Sequence, residues 1–382
     1  MPGLLPNVDP DGLLEFSVVY TDRSLNHMSE EFKKVMVDIS SVLKDAYQAS
    51  SAIVVPGSGT FGMEAVARQF ANQEKILVLR NGWFSYRWTQ IFDMANITQD
   101  IHVIKGRQVE NATQAPYAPA PIEEVVAYIK KEKPAVVFAP HVETSAGIIL
   151  PADYLRAVGD AVESVGGLFV LDCIASGAMW VDMKACKVDV VISAPQKGWS
   201  SSPCCALIGL SARARTKIDS TQSTSFSTDL KKWLQIMETY ENGGHVYHTT
   251  MPTDALKILR NVMQETQALG FDHLRNQQIE LGKKVRAMLV ERGYPSVAAP
   301  GFQAAGVVVS YTEDPDIQTG KKFIALGLQT AAGVPLQCDE RPDFRTFRIG
   351  LFGLEKLTHV DRTVAHLEKA MDQIQSVAAV AA

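Results

Sequence analysis

Cysteine is scarce in this chain, and its spacing carries no metal or disulfide signature. Cys173, Cys186, Cys204, Cys205 and Cys338 are an odd set with no CxxC pair. Neither a disulfide framework nor a zinc site is expected, and a reducing compartment fits best. Basic residues are not in excess either. A formal net charge of −5 and a pI of about 5.9 argue against a nucleic-acid binder, which draws on a basic patch. No run of about 18 apolar residues occurs, so no membrane-spanning helix is expected. Met1 to Asp11 lacks the basic and then apolar regions of a secretory signal. These absences point to a cytoplasmic protein. No internal repeat is visible, and the one low-complexity tract is the Ala/Val-rich tail Ser376–Ala382.

What is present is a chain of 382 residues, 46% of them hydrophobic. At ~150 residues per domain this suggests two or three domains with ample material for a buried core. Short apolar runs alternate with amphipathic ones through the first two-thirds. Ala52–Val55, Lys75–Leu79, Ile101–Ile104, Ala135–Phe138, Gly167–Leu171 and Asp189–Ile192 read as buried strands. Gly62–Asn72, Trp88–Met94, Ile122–Lys131 and Pro151–Val165 read as the helices between them. That alternation predicts βαβ units and a mostly parallel sheet. Further on, Asp229–Thr239 and the long stretch Asp254–Gly293 read as helical. Beyond Gly293 come short strands, Gly306–Tyr311 and Arg345–Ile349, with helices expected over Gly320–Ala331 and His359–Val377. The expected organisation is an N-terminal arm (1–20), a large α/β domain (21–255) and a smaller α+β C-terminal domain (256–382).

Three segments carry chemistry. Gly57-Ser58-Gly59-Thr60-Phe61-Gly62 follows an apolar strand and opens a helix, so its backbone N–H groups and positive helix end suit a phosphate. It also matches GxGxxG, but the next strand runs into Arg80-Asn81-Gly82 rather than the acid of a dinucleotide site. The bland reading is a Gly-rich turn packing a helix on a sheet. Asp172 ends the apolar strand Gly167–Leu171, at the sheet edge where open α/β folds bind ligands; a helix cap would look the same. Lys197 stands in a polar loop after another buried strand. There it is either a solvated lysine or a desolvated amine able to form a Schiff base. Together the three fit pyridoxal phosphate (PLP), which needs an anion site, an acid beside its ring nitrogen and a Schiff-base lysine.

With those residues in view, the chain resembles class V, fold type I PLP-dependent aminotransferases of the alanine–glyoxylate/serine–pyruvate group. The likeness runs from about Tyr20 to Leu367. It is carried by Gly57–Thr60, Asn81-Gly82 with Arg87, His141-Val142-Glu143-Thr144-Ser145-Ala146-Gly147, Asp172, Gln196-Lys197, Tyr247-His248-Thr249-Thr250-Met251-Pro252 and Arg348-Ile349-Gly350. The resemblance implies that Lys197 binds the cofactor covalently and shuttles the proton, with Asp172 against the pyridine nitrogen. It implies that Ser58, Gly59 and Thr60, with Gln196 beside them, cradle the cofactor phosphate. Phe84 stands where the family stacks an aromatic ring on the cofactor, with Trp83 as the neighbouring alternative. Thr144 matches a hydroxyl that bonds the phenolic oxygen, and Arg348 the arginine that grips the substrate carboxylate. Tyr247 and Thr250 match a segment that reaches the partner subunit's cofactor, which implies a homodimer.

The chain departs from the family near its start. Where many relatives carry a Gly-Pro-rich loop, it reads Glu15-Phe16-Ser17-Val18-Val19-Tyr20-Thr21-Asp22-Arg23. Arg23 is there either a second anion-binding group or a surface arginine paired with Asp22 or Glu15. His27, His141 and His248 read as structural, and the Cys204–Cys205 pair as small buried hydrophobes. The expected activity is amino transfer between a small amino acid, alanine- or serine-like, and a 2-oxo acid such as glyoxylate or pyruvate. A PLP lyase or a desulfurase with Cys338 as nucleophile is the alternative, and an NADP-dependent oxidoreductase using Arg80 the remote one.

Overall fold

The computed structural model describes residues 13–381; Met1 to Asp11 and the last residue of the Ala/Val tail lie outside that range. The six predicted strands are all present. They form β1 (Ser51–Pro56), β2 (Ile76–Arg80), β3 (Ile101–Lys105), β4 (Val136–Pro140), β5 (Leu168–Asp172) and β6 (Val190–Ser193). With β7 (Cys205–Leu210) they make a seven-stranded sheet in the order β1-β7-β6-β5-β4-β2-β3. Only β7 runs antiparallel, to both β1 and β6. The central strands β4 and β5 are buried at every position, as expected where helices cover both faces of a parallel sheet. Six of the seven strands therefore deliver their C-terminal ends to one edge, and Asp172 sits at the end of β5.

Helices α1 (Glu30–Tyr47), α2 (Gly59–Phe70), α3 (Trp83–Met94), α4 (Ile122–Glu132), α5 (Ala152–Ser164) and α6 (Leu230–Glu241) accompany this sheet. The stretch expected to be one long helix is two, α7 (Thr253–Leu269) and α8 (Phe271–Glu291). They break at Gly270, whose φ of 89° is outside the helical range and easily taken by glycine alone. The expected boundary at residue 255 falls in the first turn of α7. This helix packs on α1, where Arg260 meets Asp38 at 2.7 Å. A second sheet of β8 (Val307–Tyr311), β10 (Thr346–Gly350) and the two-residue β9 (Ala331–Ala332) follows, in the order β8-β10-β9 and antiparallel throughout. The helix expected over Gly320–Ala331 shrinks to α9 (Lys321–Ala325), because the chain turns at Gly327 (φ 78°) and joins the sheet as β9. The last helix, α10, spans Val360–Ala381.

Helix α2 starts at Gly59, three residues before the expected Gly62, and α3 departs further, for a reason that matters for the site. The sequence pattern begins α3 at Trp88, yet the helix starts at Trp83. Its first turn is held from another segment. Glu143, wholly buried, accepts from the backbone N–H of Phe84 (3.2 Å) and Ser85 (2.9 Å) and from the Ser85 hydroxyl (2.7 Å). It also accepts from the N–H and hydroxyl of Ser145, while Ser145 Oγ accepts from the Trp83 N–H at 2.9 Å. The amides that a helix N-terminus leaves unpaired thus find a carboxylate and a hydroxyl, and the negative charge suits the helix dipole. Glu143→Ala should therefore cost about 3 kcal/mol by leaving several buried donors unpaired, with Glu143→Gln intermediate. Urea unfolding measures this; a loss under ~1 kcal/mol would mean the α3 amides have other acceptors.

Candidate active site

At the sheet edge, α2 begins at Gly59 with Ser58 as N-cap, and Ser58 makes no side-chain hydrogen bond to the helix. The first amides of α2 are thus left without a side-chain acceptor, in contrast to those of α3. Gly59 lies so close to the sheet that a Cβ there would stand 2.5 Å from Ile174 Cδ1. A side chain would push the helix end away from Asp172. Thr60 Oγ1 accepts from Arg87 Nη1 at 3.0 Å, which puts a guanidinium beside the open helix end. Ser58, Gly59 and Thr60 are therefore together, with a cation the sequence reading placed only within a motif. Open amides, hydroxyls and a cation are the donor set of an anion site.

Asp172 is buried, and its Oδ1 accepts from the Ile174 N–H at 2.9 Å. Burial pushes its pKa up to about 6, against the pull of that hydrogen bond and of Lys197. A cationic N–H placed against this carboxylate would restore it to the charged form. Its strand neighbour is Ile192 on β6, and the loop after β6 brings Lys197 to the same edge. That loop is anchored by Trp199, fully buried, whose Nε1 donates to Ser193 Oγ at 3.2 Å. Gly198 passes so near Gly177 that a Cβ would meet its carbonyl oxygen at 2.4 Å. Lys197 itself is partly buried, its Nζ 5.8 Å from the Phe84 ring centre and 5.7 Å from that of Phe352. Burial lowers its pKa, helped by Arg348 and Arg87 and opposed by Asp172. The amine is therefore biased toward its neutral, nucleophilic form.

Phe84, rather than Trp83, is the ring in the site. Its face lies 5.3 Å from the Arg87 guanidinium and 5.5 Å from that of Arg348, whereas Trp83 packs on Tyr86. Arg348 is on β10 and donates Nε to the Ala332 carbonyl at 2.8 Å. Thr144 is buried in the turn that carries Glu143. Gln196 is exposed on the lysine loop. Tyr247 and Thr250 are not brought to the lysine within the chain. Their hydroxyls bond each other at 3.1 Å and Tyr247 lies against His27. Arg23 is exposed and pairs with neither Asp22 nor Glu15; Glu15 instead binds Ser17 and Asn26.

His141 is buried with Nδ1 2.7 Å from Ser176 Oγ, and burial pushes its pKa down to about 3, which suits a structural role. Cys204 and Cys205 are buried too. Cys338 is buried, and its thiol lies 3.5 Å from the Arg80 carbonyl oxygen. Burial and nearby acids push its pKa up to about 12, the opposite of what a thiolate nucleophile needs. Arg80 is sequestered as well. It donates to Gln337 O and Thr89 Oγ1 and lies over the Tyr86 ring, so it is not free for a nucleotide phosphate.

The residues fit PLP: an uncapped helix end with hydroxyls and Arg87 for the phosphate, a buried carboxylate for the ring nitrogen, a flat ring at Phe84 and an amine at Lys197. Sequence reading missed Arg87 and Phe352 as site residues and Glu143 as the support of Phe84. Arg87 had a signal, since it stands three residues after Phe84 on the same helix face. Phe352 had none, because only the packing of the second sheet brings it to Lys197.

No family model matches the chain. Curated relatives do. The alanine–glyoxylate aminotransferase of Mus musculus is 24% identical over 362 residues, which cover 91% of this chain and 82% of that one. The L-aspartate–glyoxylate aminotransferase of Paracoccus denitrificans is 24% identical over 347 residues, covering 86% and 81%. Among solved structures, the alanine–glyoxylate aminotransferase of Nostoc sp. superimposes with a TM-score of 0.76 at 20% identity, over 90% of this chain and 88% of that one. In sequence the chain is similar to alanine–glyoxylate aminotransferases, and it shares its fold with solved PLP-dependent aminotransferases.

Proposed function

We propose that the protein is a PLP-dependent aminotransferase that moves an amino group between a small amino acid and a 2-oxo acid, with glyoxylate or pyruvate as acceptor. The observation that carries this reading is the meeting of Asp172 and Lys197 at neighbouring strand ends, beside an uncapped α2 N-terminus and under Phe84. The names of the relatives support it, as glyoxylate recurs among them with alanine or aspartate. When bound, PLP would supply an aldehyde for condensation with amines and an electron-withdrawing ring.

The chain's own groups then have distinct tasks. Ser58, Gly59 and Thr60 hold the phosphate with Arg87, and Asp172 holds a proton on the ring nitrogen by its charge. Phe84 fixes the ring plane, and Glu143 fixes Phe84 through the first turn of α3. Thr144 would offer a hydroxyl to the phenolic oxygen, and Gln196 would stand beside the phosphate. Lys197, its pKa lowered by burial, would hold the cofactor through Nζ, and the same nitrogen would carry the proton taken from the substrate carbon. Arg348 orients the substrate through its carboxylate by a planar, two-pronged contact. The large domain carries all of these but Arg348, which the small domain supplies.

Purified protein should be yellow, and borohydride treatment should bleach it and leave the reduced cofactor's mass on the Lys197 peptide. Lys197→Ala should lower turnover about a thousandfold or more while leaving the far-ultraviolet spectrum unchanged. Wild-type turnover in that variant would remove the assignment. Arg348→Ala should lower kcat/KM by about 2–4 kcal/mol across carboxylate-bearing donors, read from steady-state rates with a panel of amino acids against glyoxylate and pyruvate. Unchanged values would place the carboxylate clamp elsewhere.

The homodimer belongs to the same proposal. Leu13, Leu14, Phe16 and Val18 are exposed, and Tyr20, just after them, donates its hydroxyl to the Met251 carbonyl at 3.2 Å. Phe226, also exposed, packs on His248. This apolar surface beside Tyr247 and Thr250 supports a partner seated there. Mixing Lys197→Ala with Tyr247→Phe/Thr250→Ala subunits tests it. In the mixed dimer one site carries every defect and the other none, so up to half of wild-type activity should return. No recovery after proven subunit exchange would assign both hydroxyls to their own chain.

A further inference from the structure

A cavity of about 580 Å³, lined by none of Asp172, Lys197 or Arg348, opens between α5, the segment Met179–Asp182 and α8. Its lining mixes apolar side chains such as Leu150, Leu155, Met179 and Ile279 with four cations, Arg156, Arg275, Lys283 and Arg286. The cations outnumber the acids there. Asp182 lines the cavity too, but its Oδ1 accepts from the Ala185 N–H as a helix cap. Arg275 meets Asp272 at 3.3 Å and donates to the Trp180 carbonyl, and Arg156 donates to the Ala185 carbonyl.

Arg286 is the telling group. It is only 8% exposed, and its hydrogen bonds go to the carbonyls of Ala304 and Gly282. Its Nε has no partner, and among the described residues no carboxylate pairs with it. A buried guanidinium satisfied by carbonyls alone keeps an uncompensated charge, which is costly; burial accordingly pushes its pKa down to about 10. Trp180, 5% exposed, likewise leaves its indole N–H unpartnered. Pro151 and Ala152, also in the lining, open the 13-residue helix α5, whose first turn already carries the Asp153 carboxylate accepting from the Tyr154 N–H at 2.9 Å. Two buried donors and further cations therefore surround an apolar hollow.

We propose that this cavity binds a small organic anion: a carboxylate head at Arg286 and the Trp180 indole N–H, on an apolar body against Leu150, Leu155, Met179 and Ile279. Trp180 packs on Trp199 with ring centres 4.5 Å apart, and Trp199 stands two residues from Lys197. Occupancy is thus readable in tryptophan emission. The site is independent of the reaction proposed for Lys197.

Benzoate and inorganic phosphate serve as probes on the cofactor-loaded protein. Benzoate should raise the thermal midpoint and change tryptophan emission, and phosphate should do neither. Arg286→Met should keep its activity, keep or raise its midpoint without ligand, and bind benzoate about 30-fold more weakly. Lys283→Met, at the exposed rim, should bind a few-fold more weakly and serves if Arg286→Met does not fold. Arg348→Ala should keep the benzoate response in full. A response lost in Arg348→Ala but kept in Arg286→Met would move the anion to the substrate site and overturn the proposal. No response in the wild-type protein would overturn it as well, and an equal response to phosphate would overturn the apolar half of the ligand.

Discussion

The site depends on how two helix N-termini at one sheet edge satisfy their unpaired amides. Helix α3 is closed from within the fold: the buried Glu143 carboxylate and the Ser145 hydroxyl take the N–H groups of Trp83, Phe84 and Ser85. Helix α2 has no such cap, since Ser58 makes no side-chain bond to its first amides. The same physics therefore gives one rigid helix end and one anion site. The rigid end sets the position of Phe84 and Arg87, one turn apart on α3, against the open end at Thr60.

Charge at the site follows from that arrangement. Two guanidiniums, Arg87 and Arg348, and the Lys197 amine share a partly buried space with Asp172, while Glu143 lies at the start of α3. Arg87 and Arg348 lower the pKa of Lys197 together with burial, and Asp172 opposes them. Burial meanwhile raises Asp172 despite the lysine. A dianionic phosphate at α2 and a cationic ring nitrogen at Asp172 would offset both imbalances, the first beside Arg87 and the second at the carboxylate. Among the cavity residues, Arg286 has a similar imbalance with no carboxylate beside it.

Much of the fold was legible because each element is carried by contiguous residues. The apolar runs before Gly57, Asp172 and Ser193 are local signals, and so is their punctuation by glycine and polar residues. Where the reading failed, distant contacts or single glycines had decided. Gly270 splits a continuous helical pattern, Gly327 turns the chain into β9, and Glu143 extends α3 backward by five residues from the expected Trp88.

By itself the sequence determined the alternation of strand and helix, and the chain order of phosphate loop, acid and lysine that points to PLP. Its short motifs also carry the resemblance to aminotransferases, and they need no third dimension. The tertiary structure decided which neighbour of a pair stands near the lysine: the Phe84 ring faces Lys197 while Trp83 packs on Tyr86, and Cys338 and Arg80 are withdrawn into contacts of their own. It also decided that Arg87 reaches Thr60 and that Phe352 reaches Lys197. Those outcomes rest on packing between residues distant in the chain, where burial and hydrogen-bond satisfaction rather than local pattern select the contact.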